Sequence, residues 1–237
     1  MMTMGEMPMP GGWSMSMMWM RMPGQSWPGA ALAFLGMWGV MMAAMMLPVL
    51  IPMLWHYRAS LAATPGSRRR GLLLATATAA YFSVWTLAGL VVFVLGAEAA
   101  SIAMAQPALA RAAPAFAGLV VLAAGALQFT TWKARRLACC RETPMCGPRS
   151  RNSTTILSAW RFGLRIGVQC VYCCAGLTAI LLVIGVMDLR AMAVVTAAIC
   201  LERFVPAGER MAQAIGIVAV AAGLFMTLGI IPAAILL

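Results

Sequence analysis

The chain has 237 residues, of which 63% are hydrophobic and only 10% are charged. Soluble domains average about 45–50% apolar and about 25% charged residues, so a soluble fold of this length could not remove so much apolar surface from water. The formal net charge is nonetheless +11, which is typical of an integral membrane protein with basic loops. The hydropathy excludes a disordered chain, a coiled coil and a soluble nucleic-acid-binding protein, so we expect the lipid bilayer as a partner and no nucleic acid.

Long apolar runs predict an all-α fold, a polytopic helical bundle with about six transmembrane helices. A spanning helix needs about 20 mostly apolar residues. The predicted spans are 29–55, 71–96, 112–133, 163–187, 190–204 and 211–236. The fifth span is short, so four or five true spans with a re-entrant segment are the alternative.

The basic residues predict the orientation of the bundle. If the N-terminus is outside, the inner loops hold 14 of the 17 Lys and Arg residues. Basic loops stay in the cytoplasm, so we expect both termini outside and a multi-pass protein of the bacterial inner membrane. Residues 1–28 are then an exported, Met-rich tail that we expect to be disordered, and residues 133–162 are a cytoplasmic loop within the transmembrane domain 29–237.

Methionine is concentrated at the start of the chain, where 16 of the 22 Met residues fall within the first 53 positions. A thioether is a neutral, soft donor that favours Cu(I) and binds without losing a proton. The residues predicted to capture metal in the tail are Met4, Met7, Met9, Met15, Met17, Met18, Met20 and Met22. Compositional drift and a partner-binding tail are the alternatives.

Four more methionines form pairs in the first predicted helix. Met41 and Met45 share one face, as do Met42 and Met46, because residues four apart lie one above the other. Such a stripe is more often adaptable packing than a set of metal ligands, and both interpretations stay open. Pro48 follows directly and frees a backbone carbonyl, which makes a kink or a site at this level possible.

Three cysteines fall close together in the fourth predicted helix. Cys170 and Cys174 are one turn apart on one face, with Cys173 adjacent to it. Two or three thiolates from one helix can hold Cu(I), whereas tetrahedral zinc needs a fourth ligand from elsewhere. Inert buried thiols and a redox dithiol are the alternatives. The candidate completing ligands are Cys200, Cys140, Cys146 and His56.

Two acidic residues fall within or beside the predicted spans. We expect Asp188 to cap the following helix, with a cation-attracting carboxylate at the outer mouth as the alternative. Glu202 is expected to pair with Arg203 or with an arginine of a loop, although an ionisable group in a membrane is a functional candidate by default.

Several short motifs together resemble a bacterial family of predicted metal-binding integral membrane proteins, known as domain of unknown function 2182. The matching pieces are Met37-Trp38, Ala44-Met45-Met46-Leu47-Pro48, Tyr81, Val84-Trp85, Gln128-Phe129-Thr130, Lys133, Cys170-x-x-Cys173-Cys174, Gly185-Val186-Met187-Asp188-Leu189 and Leu201-Glu202-Arg203. The resemblance covers residues 37–225 and implies soft-metal handling in a membrane. Ile166 stands where the family often has a histidine, so no histidine ligand is expected there.

The sequence therefore predicts a membrane protein that binds a soft metal, with Cu(I) preferred, and that acts in copper handling, delivery or transport. An accessory subunit of a larger membrane complex is the first alternative, and a membrane thiol–disulfide redox protein is the second. A membrane cuproenzyme is a possible partner. We expect no catalytic residues and no haem. We also expect no nucleotide, since a phosphate-binding Gly-rich loop with Lys is missing from the sequence.

Overall fold

The computed structural model describes residues 6–9, 13–16, 19, 24–61, 66–141, 155–185, 188–205 and 207–228. Two short strands come first, β1 (Glu6–Met9) and β2 (Trp13–Ser16). Seven helices follow, which are α1 (Trp27–Ser60), α2 (Ser67–Ala105), α3 (Pro107–Leu127), α4 (Thr131–Arg141), α5 (Ile156–Ile184), α6 (Leu189–Phe204) and α7 (Gly208–Thr227). The predicted all-α polytopic bundle is confirmed.

Five of these helices, α1, α2, α3, α5 and α7, are long and apolar enough to cross a membrane. They correspond to five of the six predicted spans. The predicted span 190–204 is the 16-residue helix α6, which at 1.5 Å per residue reaches about 24 Å and is shorter than the hydrocarbon core of about 30 Å. The structure thus contains five helices long enough to cross a membrane, and both the number of crossings and the orientation of the termini stay predictions.

Two polar segments contain secondary structure within the part of the chain that the structure describes. In the tail, which we expected to be disordered, β1 and β2 form an antiparallel pair with Glu6 opposite Ser16. The predicted loop 133–162 overlaps two helices, α4 at its start and α5 at its end. Burial of Leu137 holds α4 against the bundle, because an amphipathic helix gains stability by covering its apolar side. The rest of that loop, 142–154, lies outside the described residues.

Glycine allows two pairs of helices to approach closely. Gly163 of α5 lies against the backbone carbonyl of Ala77 in α2, and Gly167 lies against Val84 one turn further on. Such close packing is typical of a G-x-x-x-G spacing. The pair formed by α3 and α7 uses the same principle, with Gly125 against the backbone of Val220. Close backbone approach replaces the hydrophobic effect as the source of helix association in lipid.

Helix α1 packs its aromatic and sulfur-bearing face into the core and continues through Pro48 and Pro52. The buried residues of this face are Ala30, Phe34, Trp38, Met41, Met42, Met45, Met46, Val49 and Leu50. Their spacing of three and four residues is that of one helical face. All four methionines predicted as pairs therefore point inward, toward the other helices.

Candidate metal centre

One core contains the sulfur atoms of both helices that the sequence singled out. The sulfur cluster consists of Met41, Met42, Met45, Met46, Cys170, Cys173 and Cys174. None of these side chains is more than 5% exposed, and Met42 and Met46 are fully buried. The methionines of α1 and the cysteines of α5, which the sequence could not relate to each other, thus lie in one buried core.

The closest contact between the two helices joins a thiol to a thioether. The Sγ atom of Cys170 lies 3.9 Å from the Sδ atom of Met46. Two sulfur ligands that bind one ion at about 2.3 Å each lie about 4 Å apart when the bond angle is about 120°. The Cys174 thiol interacts in turn with the thiols of Cys170 and Cys173. The geometry is therefore compatible with an ion held by two or three sulfur atoms.

Aromatic side chains pack against the sulfur cluster on the side that faces α2. The Tyr81 hydroxyl donates a hydrogen bond to the Sγ atom of Cys170 at 3.1 Å. One turn away, the indole Nε1 of Trp38 donates to the backbone carbonyl of Trp85 at 2.9 Å, and both rings are buried. These bonds satisfy the polar edges of large rings in an apolar setting. They also fix the rotamers next to the thiol and keep water from it.

A buried ion pair supports the cysteine segment from the other side. The Nζ atom of Lys133 in α4 lies 2.9 Å from the Oε2 atom of Glu202 in α6. The same Nζ donates to the backbone carbonyl of Cys173 at 2.6 Å. The Nε2 atom of Gln128 donates to the Oε1 atom of Glu202 at 2.9 Å. Gln128, Lys133 and Glu202 form the ion network. It connects the end of α3, the start of α4 and the end of α6 to the part of α5 that carries the cysteines.

The partner of Glu202 in the ion pair is Lys133, which the expected pairings did not include. The expected partner was Arg203 or an arginine of a loop, whereas the ion pair is with Lys133. Both residues fall within predicted spans, 112–133 and 190–204. An unpaired Lys or Glu inside a membrane carries a large cost of desolvation. The presence of one Lys and one Glu within predicted spans was therefore the signal that could have indicated this ion pair.

Arg203 is the third buried charged residue at this level of the bundle, with 7% of its surface exposed. Its guanidinium interacts electrostatically with the hydroxyl of Tyr81 and with the thiols of Cys170 and Cys174. Arg203 thus contributes positive charge to the surroundings of these groups, whereas Glu202, its neighbour in the chain, pairs with Lys133.

Other predicted ligands lie away from the cluster or outside the described residues. Asp188 caps α6, as expected, by accepting from the backbone N–H groups of Arg190 at 2.6 Å and Ala191 at 3.2 Å. Cys200 is half-buried on α6 against the edge of the core, and His56 is exposed. Of the tail methionines, Met7, Met9 and Met15 belong to β1 and β2. The remaining residues, Met4, Met17, Met18, Met20, Met22 and Cys146, lie outside the described part of the chain, as does the side chain of Cys140.

Within the described ranges, no group of three or more His, Cys, Asp or Glu side chains is arranged to hold a metal ion. A family model described as PpoB2, copper chaperone, matches residues 35–226. The chain belongs to this family.

Membership in the PpoB2 family assigns the protein to copper handling. The match covers α1 from Leu35 onward and the part of α5 that carries the three cysteines. It also includes Gln128, Lys133 and Glu202. The sulfur cluster and the ion network thus both lie in the part of the chain that defines the copper chaperone. The strands β1 and β2 lie outside the match. No curated protein and no solved structure matches the chain.

Proposed function

We propose that this copper chaperone holds Cu(I) in the sulfur cluster and passes it to a cuproenzyme at the membrane. The single observation that carries the proposal is the contact of 3.9 Å between the Sγ atom of Cys170 and the Sδ atom of Met46. It brings a thiol and a thioether from two helices to the spacing of two ligands of one soft ion.

The proposed ligands are the thiolates of Cys170 and Cys174 and the thioether of Met46. Soft sulfur donors select Cu(I) over hard cations, and a monovalent ion does not require four ligands. A tetrahedral zinc site would need a further donor. Cys173 and the three other methionines of the cluster belong to the same buried core, and we propose them as alternate ligands when the ion enters or leaves.

The tail supplies the proposed entry route. The indole Nε1 of Trp13 donates to the backbone carbonyl of Ala110 in α3 at 2.8 Å, and the ring of Trp19 lies against Gly96 in α2. Trp19 also meets Phe34 of α1, with 5.3 Å between ring centroids. These contacts hold the tail at the end of the bundle where α1 begins. We propose that the tail methionines collect Cu(I) there, outside a bacterial inner membrane.

An aromatic column links that end of the bundle to the sulfur cluster. Phe34 stacks on Trp38 with 5.8 Å between ring centroids, and Met42 follows Trp38 one turn further along the same face of α1. A cation is attracted to the face of an aromatic ring, and most strongly to tryptophan. The column therefore offers a monovalent ion a path without anionic groups between the tail and the cluster.

The family assignment favours copper handling over the two alternative functions. An accessory subunit has no need of thiol and thioether sulfur in one buried contact. A redox dithiol needs a base and access for its substrate, whereas Cys170 and Cys173 are at most 2% exposed. We also propose that the chain belongs to the predicted metal-binding membrane proteins of domain of unknown function 2182, whose helix motifs coincide with the sulfur cluster and the ion network.

Titration of the purified protein with Ag(I) under anaerobic conditions tests the proposed site, because Ag(I) is a redox-stable analogue of Cu(I). We expect Cys170→Ser with Cys174→Ser to abolish the tightest binding event. Met46→Leu should weaken it about tenfold or more, because removal of a metal ligand leaves a two-coordinate ion and even the loss of a residue that only supports a ligand costs about 10–100-fold.

Met226→Leu is the matched control, because Met226 is a buried methionine of α7 that packs against α3 at Gly118. Its affinity for Ag(I) should equal that of the wild type. A Met46→Leu variant that binds Ag(I) as tightly as Met226→Leu would remove the thioether from the site.

A further inference from the structure

The Tyr81 hydroxyl of α2 is in direct contact with a proposed metal ligand. It donates a hydrogen bond to the Sγ atom of Cys170 at 3.1 Å, and both side chains are only 1% exposed. The Cys170 thiol in turn donates to the Sδ atom of Met46 at 3.9 Å. The sulfur of Cys170 therefore accepts a hydrogen bond from the side of α2 and donates one toward α1.

The packing of α2 on α5 determines where this hydroxyl lies. The backbone carbonyl of Tyr81 lies against Gly167 of α5, three residues before Cys170. The ring of Tyr81 also meets the ring of Phe82 edge-on, with 5.2 Å between centroids. The hydroxyl is thus held next to Cys170 by the contact between the two helices, as is required of a group that orients a metal ligand.

We propose that Tyr81 is a positioning residue that stabilises the metal-bound thiolate of Cys170. This inference rests on the proposed copper site. When Cu(I) binds, the S–H bond of Cys170 breaks, its proton goes to solvent, and a metal–sulfur bond forms without a change of oxidation state. The ion takes the side of the sulfur that faces Met46, on which the thiol proton lies, and the hydrogen bond from Tyr81 stays on the other side.

The hydrogen bond from Tyr81 favours the thiolate over the thiol. The sulfur of a neutral thiol is a weak acceptor, whereas a hydrogen bond to an ionised acceptor is roughly twice as strong as one between neutral groups. The sulfur of Cys170 is also buried, and a buried anion without a donor is costly. Tyr81 therefore stabilises the metal-bound form of Cys170 more than the protonated form, which raises the affinity for the ion.

The three tyrosines of the chain provide a matched set of variants. Tyr81→Phe removes one oxygen atom and keeps the ring. We expect it to weaken Ag(I) binding to the purified full-length protein about tenfold or more, the usual cost of losing a hydrogen-bond partner of a metal ligand. Tyr57→Phe and Tyr172→Phe lose the same oxygen from rings that contact Phe162 and Trp132, and both should bind Ag(I) as the wild type does.

Infrared difference spectra separate this role from a role in packing. The C–O stretch of isotope-labelled tyrosine reports the strength of the hydrogen bond that its hydroxyl makes. Addition of Ag(I) to the wild type should shift this band for one of the three tyrosines. The shift should be absent in Tyr81→Phe and present in Tyr57→Phe and Tyr172→Phe. A side chain that only fills space would give no tyrosine band that depends on the metal.

The outcomes distinguish this inference from the function on which it rests. A Tyr81→Phe variant that binds Ag(I) as tightly as Tyr57→Phe overturns the role of Tyr81 while the copper site stands. A wild-type spectrum in which Ag(I) shifts no tyrosine band does the same, and it decides alone if Tyr81→Phe does not elute as a single species. Wild-type protein that does not bind Ag(I) contradicts the proposed function and the inference together.

Discussion

At the scale of single residues, the buried ion pair of Lys133 and Glu202 is the feature that most constrains the site. Each partner is almost fully buried, at 6% and 3% side-chain exposure. The Lys133 ammonium also donates to the carbonyl of Cys173, so the pair holds the cysteine segment in place. Removal of one partner would leave an unpaired charge, which costs far more than loss of the whole pair.

A double-mutant cycle should show this asymmetry. We expect Lys133→Met and Glu202→Leu to lower the free energy of unfolding by about 3–5 kcal/mol each. The double variant should lose much less than the sum, because no uncompensated charge remains. Unfolding of the detergent-solubilised protein in mixed micelles measures the three values, and additive losses would show that the two residues act independently.

At the scale of secondary-structure elements, the packing of α2 on α5 determines where the thiols lie. Gly163 and Gly167 let the α5 backbone approach α2 at Ala77 and Tyr81. The same approach places the Tyr81 hydroxyl 3.1 Å from the Sγ atom of Cys170. Any change that separates these helices moves the thiol away from its hydrogen-bond donor.

A single methyl group should be enough to disturb this packing. A Cβ atom at Gly163 would collide with the backbone carbonyl of Ala77, so we expect Gly163→Ala to lower stability by about 1–3 kcal/mol and to weaken Ag(I) binding. Gly36→Ala is the control in α1, where a Cβ meets nothing within 4 Å, and it should be neutral or slightly stabilising. Thermal unfolding in detergent compares the two, and equal melting temperatures would contradict the close approach.

At the scale of the whole molecule, the tail and the sulfur cluster are two separate sulfur-rich regions connected by aromatic side chains. Trp13 and Trp19 anchor the tail to α3 and α2. Trp19, Phe34 and Trp38 then follow one another toward the cluster. Capture and storage of the ion are thus expected to be separable, with the tail affecting how fast the buried site fills.

Trp19→Ala tests this separation because it leaves every sulfur atom in the protein. We expect Ag(I) to enter the buried site several-fold more slowly, while the affinity at equilibrium stays that of the wild type, since the ligands of the cluster are unchanged. Stopped-flow mixing with a chromophoric Ag(I) chelator follows the rate.

A truncated variant that lacks residues 1–22 should in addition lose the weaker binding events contributed by the tail. Slow entry that is restored in this shorter chain would mean that the tail covers the entrance and does not supply the ion.

Composition and periodicity alone determined the membrane class, five of the spans and the two sulfur-bearing helices, because apolar length and helical spacing are local properties of the chain. The shared helix face of Met42 and Met46 and the cap made by Asp188 also followed from local rules. The contact of Met46 with Cys170 and the pairing of Lys133 with Glu202 did not, since each joins residues far apart in the sequence. These contacts depend on which helices pack together and at what depth. Only the tertiary structure decided that the thioethers and the thiols lie in one buried core and that two of them, on Met46 and Cys170, are in contact.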